Sequence, residues 1–270
     1  MREAFFLATA AVVVAFMTAL LVQGINNDVS MLHELAVRRS SVTKLSSCAD
    51  SAREDLERYL RREAEKEVFS SAALGNLPDP SNVKTGKWVE EAIEYLGKQD
   101  IRAGIEVEKV VFGRATDPEG ALECAAQLGY TLKDGGCGTE LVGREDARFT
   151  VPVRIYLASD LASSFRSTVV ARVRRCFIQN IGADYQEVSR TVANAVEEYE
   201  RRCDGMDLDF RASVHFEVSR DNETVSVELT FEAIEITDVG ELAKVTVDGK
   251  TERVTFKAQA VSIKLTFKRG

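Results

Sequence analysis

The residues from Ala4 to Val22 read AFFLATAAVVVAFMTALLV, and this stretch decides how the chain is organised. Thr9 and Thr18 are the only polar residues among its nineteen members. A helix of that length, at about 1.5 Å per residue, spans roughly 28 Å, which is close to the thickness of the hydrocarbon layer of a bilayer. The stretch therefore predicts a transmembrane helix within residues 1–25, with the lipid bilayer as its partner.

This apolar segment can be a retained anchor or a cleaved signal peptide. A signal peptide has an apolar run of about 7–15 residues and an Ala-x-Ala cleavage site. The run here is longer and has no such site near Gln23-Gly24, which favours a retained single-pass anchor. The flank that follows, Asn26-Asn27-Asp28, is neutral to acidic and favours a cytoplasmic amino terminus, with the carboxyl-terminal domain outside the cell membrane.

A long amphipathic helix is predicted after the anchor and forms a stalk over residues 26–75. Residues 28–69 contain no Pro or Gly and are rich in Arg, Glu, Leu and Ala. Six residues repeat at spacings of three and four as a heptad seam, namely Val42, Leu45, Ala49, Ala52, Leu56 and Tyr59. This seam can pack on the chain's own globular domain or against other copies of the chain.

Residues 76–270 are predicted to form one extracytoplasmic domain of mixed helices and strands. Helical spacing of apolar residues predicts helices over 87–97 and 184–203. The aspartate cap and following proline of Asp117-Pro118 predict another helix over 117–128. Alternation of apolar and polar residues predicts strands over 105–112, 149–157, 168–178, 208–218, 224–236, 242–247 and 253–267. Together these segments indicate an α+β fold in which helices pack on an antiparallel β-sheet.

Five cysteines allow two disulfides if the domain lies outside the membrane. The economical pairs are Cys124 with Cys137 and Cys176 with Cys203, because each closes a short segment that flanks a predicted helix. Unpaired buried thiols are the alternative. The fifth, Cys48, lies in the predicted stalk helix, where a small core residue is favoured over an intermolecular disulfide.

Charge and motifs exclude several classes of function. A net charge of -8 argues against nucleic acid as a partner. The chain contains no metal-ligand spacing, cofactor motif or catalytic motif, so we predict no metal, no cofactor and no enzymatic activity. His215 lies in a predicted strand and is interpreted as structural. The glycine-rich run Asp134–Gly138 lacks the lysine and the spacing of a phosphate-binding loop and predicts a turn.

The order of these segments resembles type IV pilin-like and Tad-type pilin-like surface proteins, especially membrane-anchored proteins of archaea. The resemblance covers residues 1–69, from the opening MREAFFL through the apolar helix into the amphipathic helix. It implies a structural or assembly component of the cell surface that associates with itself or with other subunits. The alternative from the residues is a membrane-tethered ligand-binding or sensory domain, which needs a concave apolar pocket.

Overall fold

The computed structural model describes the backbone of residues 2–221 and 223–268 and, from Ala15 onward, the side chains of these residues. A 3-10 turn covers Pro80–Asn82. The helices of this part of the chain are α1 (Arg2–Ala73), α2 (Gly86–Gly97), α3 (Ile155–Gln179) and α4 (Tyr185–Asp204). Its strands are β1 (Ile101–Arg114), β2 (Leu122–Asp134), β3 (Glu140–Val151), β4 (Leu208–Arg220), β5 (Thr224–Asp238), β6 (Lys244–Val247), β7 (Lys250–Arg253), β8 (Thr255–Ala258) and β9 (Val261–Lys268).

Helix α1 is a single helix of 72 residues that covers both the predicted anchor and the predicted stalk. Toward its end it buries one residue in every four along one face: Leu56, Leu60, Ala64, Val68 and Ala72. It is terminated at Gly75, whose φ of 70° is the left-handed conformation common after a helix. A Cβ atom at Gly75 would lie 2.2 Å from the carbonyl oxygen of Lys257, so this position requires glycine.

The contacts of the chain fall into two compact units, and each is described by itself. Unit 1 comprises Met1–Arg53, Val89–Glu106 and Gly129–Arg144. Its core joins Leu45 and Ala49 of α1 to Leu96, Ile101 and Leu132, all of which are buried. Because Leu45 and Ala49 are four residues apart, they lie on the same side of α1.

Unit 2 comprises Glu54–Trp88, Val107–Leu128 and Glu145–Gly270, and it contains an antiparallel sheet. The strand order is β4-β5-β8, and β9 also pairs with β5. Helix α4 packs against β4, while α3 packs against β5, β8 and β9. The ring of Phe165 makes edge contacts with Tyr199, Phe210 and Phe231 at centroid distances of 5.3, 5.1 and 6.2 Å, so aromatic packing fixes both helices on the sheet.

The predicted α+β class is confirmed, with helices packed on an antiparallel sheet. The predicted helix over 184–203 corresponds to α4, and the predicted strand over 105–112 lies within β1. The predicted strands over 208–218 and 224–236 correspond to β4 and β5. Strands β1, β2 and β3 form a further sheet in that order.

Two predictions of secondary structure in the middle of the chain are wrong. The predicted helix over 117–128 is replaced by strand β2, which buries every second residue: Leu122, Cys124, Ala126 and Leu128. The predicted strand over 168–178 lies inside α3, which buries every fourth residue: Phe165, Val169, Val173 and Phe177. In both cases the spacing of the buried residues outweighs the intrinsic preference of Ala for helices and of Val for strands.

The predicted strand over 149–157 is partly wrong. Strand β3 ends at Val151, and α3 begins at Ile155. Of the residues that alternation places on one face of this segment, Phe149, Val151, Val153 and Ile155 are buried, whereas Leu157 is half-buried. Alternating burial thus continues across the point where the chain changes from strand to helix.

Candidate interaction surfaces

The amino-terminal part of α1 exposes more large apolar side chains than any other element described here. Within residues 16–35 ten of them expose between 51% and 65% of their surface: Phe16, Met17, Leu20, Leu21, Val22, Ile25, Val29, Met31, Leu32 and Leu35. Burying one such side chain completely is worth about 1.5–3 kcal/mol. A contiguous exposed apolar surface of this kind is typical of a membrane or protein contact.

The composition of this surface changes at Asn26. Before Asn26, the described residues 15–22 are apolar except for Thr18, so the helix is apolar on all of its sides there. After it, Asp28, His33 and Glu34 are interspersed with the apolar residues and are exposed. The hydrocarbon layer of a bilayer accommodates the apolar residues before Asn26. Placing the polar and charged residues after Asn26 in that layer is unfavourable, because polar groups there need hydrogen-bond or ion-pair partners.

Among the residues with described side chains, no helix offers a segment long and apolar enough to cross a membrane. The predicted span Ala4–Val22 lies mostly outside them, because the described side chains begin at Ala15.

The predicted heptad seam is divided between buried and exposed positions. Leu45, Ala49 and Leu56 are buried, whereas Ala52 and Tyr59 are half-buried. Val42 exposes 47% of its surface. The hydroxyl of Tyr59 donates a hydrogen bond to the carbonyl oxygen of Lys84 at 2.6 Å. Most of the seam therefore packs on the chain itself, and Val42 belongs with the exposed apolar residues that precede it.

The glycine-rich run forms the turn between β2 and β3, as predicted. Asp134 accepts a hydrogen bond from the Ser41 hydroxyl at 2.5 Å and from the amide of Gly136 at 3.1 Å. The Lys44 ammonium lies 3.8 Å from the same carboxylate. Hydrogen bonds from Ser41 and Gly136 lower the pKa of Asp134. The Asp134 carboxylate thus holds the β2-β3 turn against Ser41 and Lys44 of α1, within unit 1.

All five cysteines are free, so neither predicted disulfide forms in the structure. The helix predicted over 117–128, which contains Cys124, is absent, and this removes the reason for pairing Cys124 with Cys137. Cys124 points into the core from β2, and burial raises the pKa of its thiol to about 12. Cys203 is buried at the end of α4, and burial raises its pKa to about 11.

Cys137 is exposed in the turn and differs from the buried thiols. Its sulfur lies 2.9 Å from the Thr139 hydroxyl and 3.5 Å from an oxygen of Asp134. Hydrogen bonding from Ser41, and then from Thr139, lowers the pKa of the Cys137 thiol. Cys176 and Cys48 are half-buried, and desolvation raises the pKa of each.

His215 lies on the polar face of the sheet and not in the core. Its side chain exposes 62% of its surface, and its Nε2 atom is 3.9 Å from Glu217 Oε1. The strand register places it opposite Thr230, which is opposite Ser262 on β9. Within the described residues the His215 ring makes no hydrogen bond. It therefore lacks the hydrogen bond that orients the ring of a catalytic histidine acting as a general base. His215 lies in a strand, as predicted, and the alternation in β4 directs its side chain to solvent.

Several surface grooves occur among the described residues of unit 2. One, of about 500 Å³, lies between α1 and the β6-β7 hairpin and is lined by Arg58, Arg61, Arg62, Glu65, Lys66, Thr246, Asp248 and Gly249. A groove of about 440 Å³ runs along α3 near Val170 and Ile178. A smaller one of about 180 Å³ lies on the polar face of the sheet around Arg211 and Glu235. Charged side chains line the groove of about 500 Å³, unlike the apolar pocket expected of a small-molecule receptor.

Metal and cofactor sites were not predicted. In the part of the chain that the structure describes, no three His, Cys, Asp or Glu side chains are grouped so that they could hold a metal ion. Compared with protein-family models, with curated proteins and with solved structures, the chain matches none of them.

Proposed function

We propose that the protein is a membrane-anchored, non-enzymatic structural component that assembles at the cell surface, with its α+β domain outside the membrane. The observation that carries this proposal is the exposed apolar surface of α1 over residues 16–35. Water is a poor solvent for such a surface, whereas a bilayer and neighbouring copies together would cover it. The pilin-like order of segments supports the same function.

The anchor is supported by the length of the apolar run. Residues 4–22 are long enough for a helix that spans a bilayer, and α1 continues without interruption from Arg2 to Ala73. An uninterrupted helix would connect the span directly to the residues that enter the core of unit 1, beginning at Leu45.

Membrane fractionation of the full chain tests this function. We expect the wild-type protein to sediment with membranes, to resist alkaline extraction, and to elute as an oligomer after mild detergent extraction. Replacing Val12 and Val13 together by Arg places two charges near the middle of the run, each at a cost of about 2.5–3.5 kcal/mol, and should release the protein. Ser30→Arg adds a charge outside the run and is the matched control.

The outcome against this proposal is a wild-type chain that stays in the soluble fraction, or one that leaves the membrane as a monomer. A second candidate function is a membrane-tethered ligand-binding domain. The groove of about 500 Å³ beside Arg58 and Arg61 lacks an apolar lining, but its basic side chains suit an anionic ligand. A monomer whose unfolding temperature rises with a small anionic metabolite would favour this second function.

A further inference from the structure

The last strand of the sheet in unit 2 has one unpaired edge. Strand β9 pairs with β5 over its whole length. Within the described residues no backbone hydrogen bond joins β9 to any other segment. In an antiparallel strand every second residue directs its N–H and C=O groups away from the neighbouring strand. The outer edge of β9 therefore offers a row of free donors and acceptors to a further strand.

The inward face of β9 is less covered than that of β5. Residues opposite each other in a strand pair share a face, and three such pairs point inward: Val225 with Phe267, Val227 with Leu265, and Leu229 with Ile263. The members on β5 are completely buried, whereas those on β9 are half-buried. A strand added beside β9 would cover the apolar surface that remains exposed there.

Helix α3 has two flanks, one of which faces α4. The hydroxyls of Ser164 and Thr168 belong to that flank and lie 2.6 and 3.0 Å from a tyrosine hydroxyl of α4. A shift of two residues moves a side chain roughly 200° round a helix. Arg166, Val170 and Arg174 therefore lie on the opposite flank, which we call the outer flank of α3.

The outer flank runs alongside β9. At one end, the Arg166 guanidinium donates a hydrogen bond to the carbonyl oxygen of Gln259, two residues before β9 begins. Further along α3, the ring of Phe177 stacks on Phe267 of β9 at a centroid distance of 5.0 Å. Between these two contacts, Val170 and Arg174 line part of the groove of about 440 Å³.

The charged side chains of β9 and of the outer flank are all basic. They are Lys264 and Lys268 on the exposed face of β9, and Arg166 and Arg174 on the flank. Within the described residues none of the four makes an ion pair. The Nε atom of Arg166 is buried and has no hydrogen-bond partner in this part of the chain. Carboxylates are the groups that would complement this edge.

We infer that the outer edge of β9 binds an extended acidic segment of another protein, which adds a strand to the sheet of unit 2. Apolar residues of that segment would cover Ile263 and Leu265. Alternating Asp or Glu residues would meet Lys264 and Lys268 on the outward face, and a further carboxylate would meet Arg174. The inference goes beyond the proposed function, because it concerns a surface of unit 2 and does not require the anchor.

A second copy of β9 is a poor occupant of this edge. Pairing two β9 strands would bring the lysines of one copy near those of the other, and like charges across a strand pair are unfavourable. An acidic segment has the opposite sign. The whole chain carries a net charge of -8, so general attraction would not bring an acidic peptide to it.

Peptide binding to the full chain in mild detergent at low salt tests this inference. The probe is a fluorescent peptide of sequence Val-Glu-Val-Asp-Val-Glu-Val, and fluorescence anisotropy measures its dissociation constant. We expect saturable binding, and at least tenfold weaker binding of a peptide with Lys at the acidic positions. Hydrogen exchange should slow in β9 when the acidic peptide is bound. Strand β4, on the other side of β5, is the internal control and should not change.

Charge exchange gives an independent readout. Lys264→Glu combined with Lys268→Glu should weaken binding of the acidic peptide at least tenfold, and the same variant should bind the lysine peptide. Arg174→Glu should also weaken binding of the acidic peptide. Lys250→Glu, at an exposed position of β7, is the matched control and should leave both affinities unchanged.

Several results would overturn the inference. They are the absence of acidic-peptide binding, binding that charge exchange leaves unchanged, and slowed exchange in β4 instead of β9. Slow exchange in β9 without peptide, lost on dilution of the chain, would make a second copy the occupant and would overturn it too. None of these results bears on the membrane anchor, which fractionation tests separately.

Discussion

Arg154 joins three segments of unit 2 through one guanidinium group. It donates hydrogen bonds to both carboxylate oxygens of Asp238, at 2.9 and 2.6 Å, and to the carbonyl oxygens of Met206 and Asp207, at 2.6 and 3.1 Å. Its backbone amide also donates to Asp238, just before α3 begins. The hydrogen bonds that Arg154 donates to Asp238 raise the pKa of Arg154, so its guanidinium stays charged.

Replacing Asp238 by Asn should therefore be strongly destabilising. The Asp238 side chain exposes only 4% of its surface, and losing its charge leaves Arg154 partly buried without a counter-ion. Removing one partner of a buried pair costs about 3–5 kcal/mol. Asp209→Asn is the control, because its pair with Arg211 is exposed and worth about 0–1 kcal/mol. Urea unfolding measures both, and equal losses would contradict the assigned role of Arg154.

The thiols should differ in reactivity according to their surroundings. A lowered pKa gives Cys137 more thiolate than an ordinary cysteine at neutral pH, whereas Cys124, with a pKa of about 12, stays protonated and buried. We expect iodoacetamide at pH 7 to modify Cys137 first. Ser41→Ala should slow that reaction, because it removes the hydrogen bonding that contributes most to the lowered pKa of the Cys137 thiol. Peptide mass spectrometry after timed labelling measures the order. Labelling of Cys124 in the native protein before Cys137 would contradict it.

At the scale of elements, α4 is the helix that the sequence specifies most completely. Asp184 accepts a hydrogen bond from the amide of Glu187 at 2.9 Å, and the Glu187 carboxylate accepts one from the amide of Asp184 at 3.3 Å. A capping box followed by apolar residues at helical spacing can be recognised in the amino-acid sequence as the start of a helix. Val188, Val192 and Ala195 are accordingly buried.

Asp184→Ala should cost about 1 kcal/mol, because the backbone amide of Glu187 loses its side-chain acceptor at the start of α4. Asp204→Ala, at the other end of the same helix, is the matched control and should be neutral or slightly stabilising, since an acid is unfavourable near a helix carboxyl terminus. The midpoint of urea unfolding measures both changes. An equal loss in the two variants would show that the cap contributes nothing specific.

The elements in the middle of the chain could not be predicted as reliably. In β2, Ala and Leu at alternate positions are also good helix formers, and only pairing with β1 and β3 selects the strand. In α3, Val169, Val170 and Val173 favour strands locally, but the four-residue spacing of Phe165, Val169, Val173 and Phe177 buries them only as a helix. Tertiary burial decided both cases.

The exposed apolar surface of α1 was only partly predictable. The span and the seam from Val42 onward follow from residue spacing, whereas the exposed apolar residues between them were missed, because Asn26, Asn27 and Asp28 interrupt the pattern. Ile25, Val29 and Leu32 at helical spacing carry the signal that could have found them. Their exposure depends on which side of α1 enters the core of unit 1, and that required the structure.

On the scale of the whole molecule, both units depend on α1. Leu45 and Ala49 supply one side of the core of unit 1, opposite Leu96, Ile101 and Leu132. A fragment of residues 54–270 lacks that side and should expose those partners. A fragment of residues 38–270 retains it and loses only the exposed apolar part of α1. We expect the longer fragment to be folded and soluble, and the shorter one to bind a hydrophobic dye and aggregate; similar dye binding by both would contradict this.

Neither unit is continuous in sequence, since each is assembled from three separate segments of the chain. Unit 1 needs residues up to Arg144 before its core can close, and unit 2 needs β9 near the carboxyl terminus to complete its sheet. While the chain is being synthesised, the buried face of α1 therefore remains without its packing partners until strands later in the chain have been made. If the chain crosses a membrane during synthesis, Leu45, Ala49 and Leu56 emerge before their packing partners. Until those partners arrive, a chaperone on the far side of the membrane would have to protect these apolar side chains.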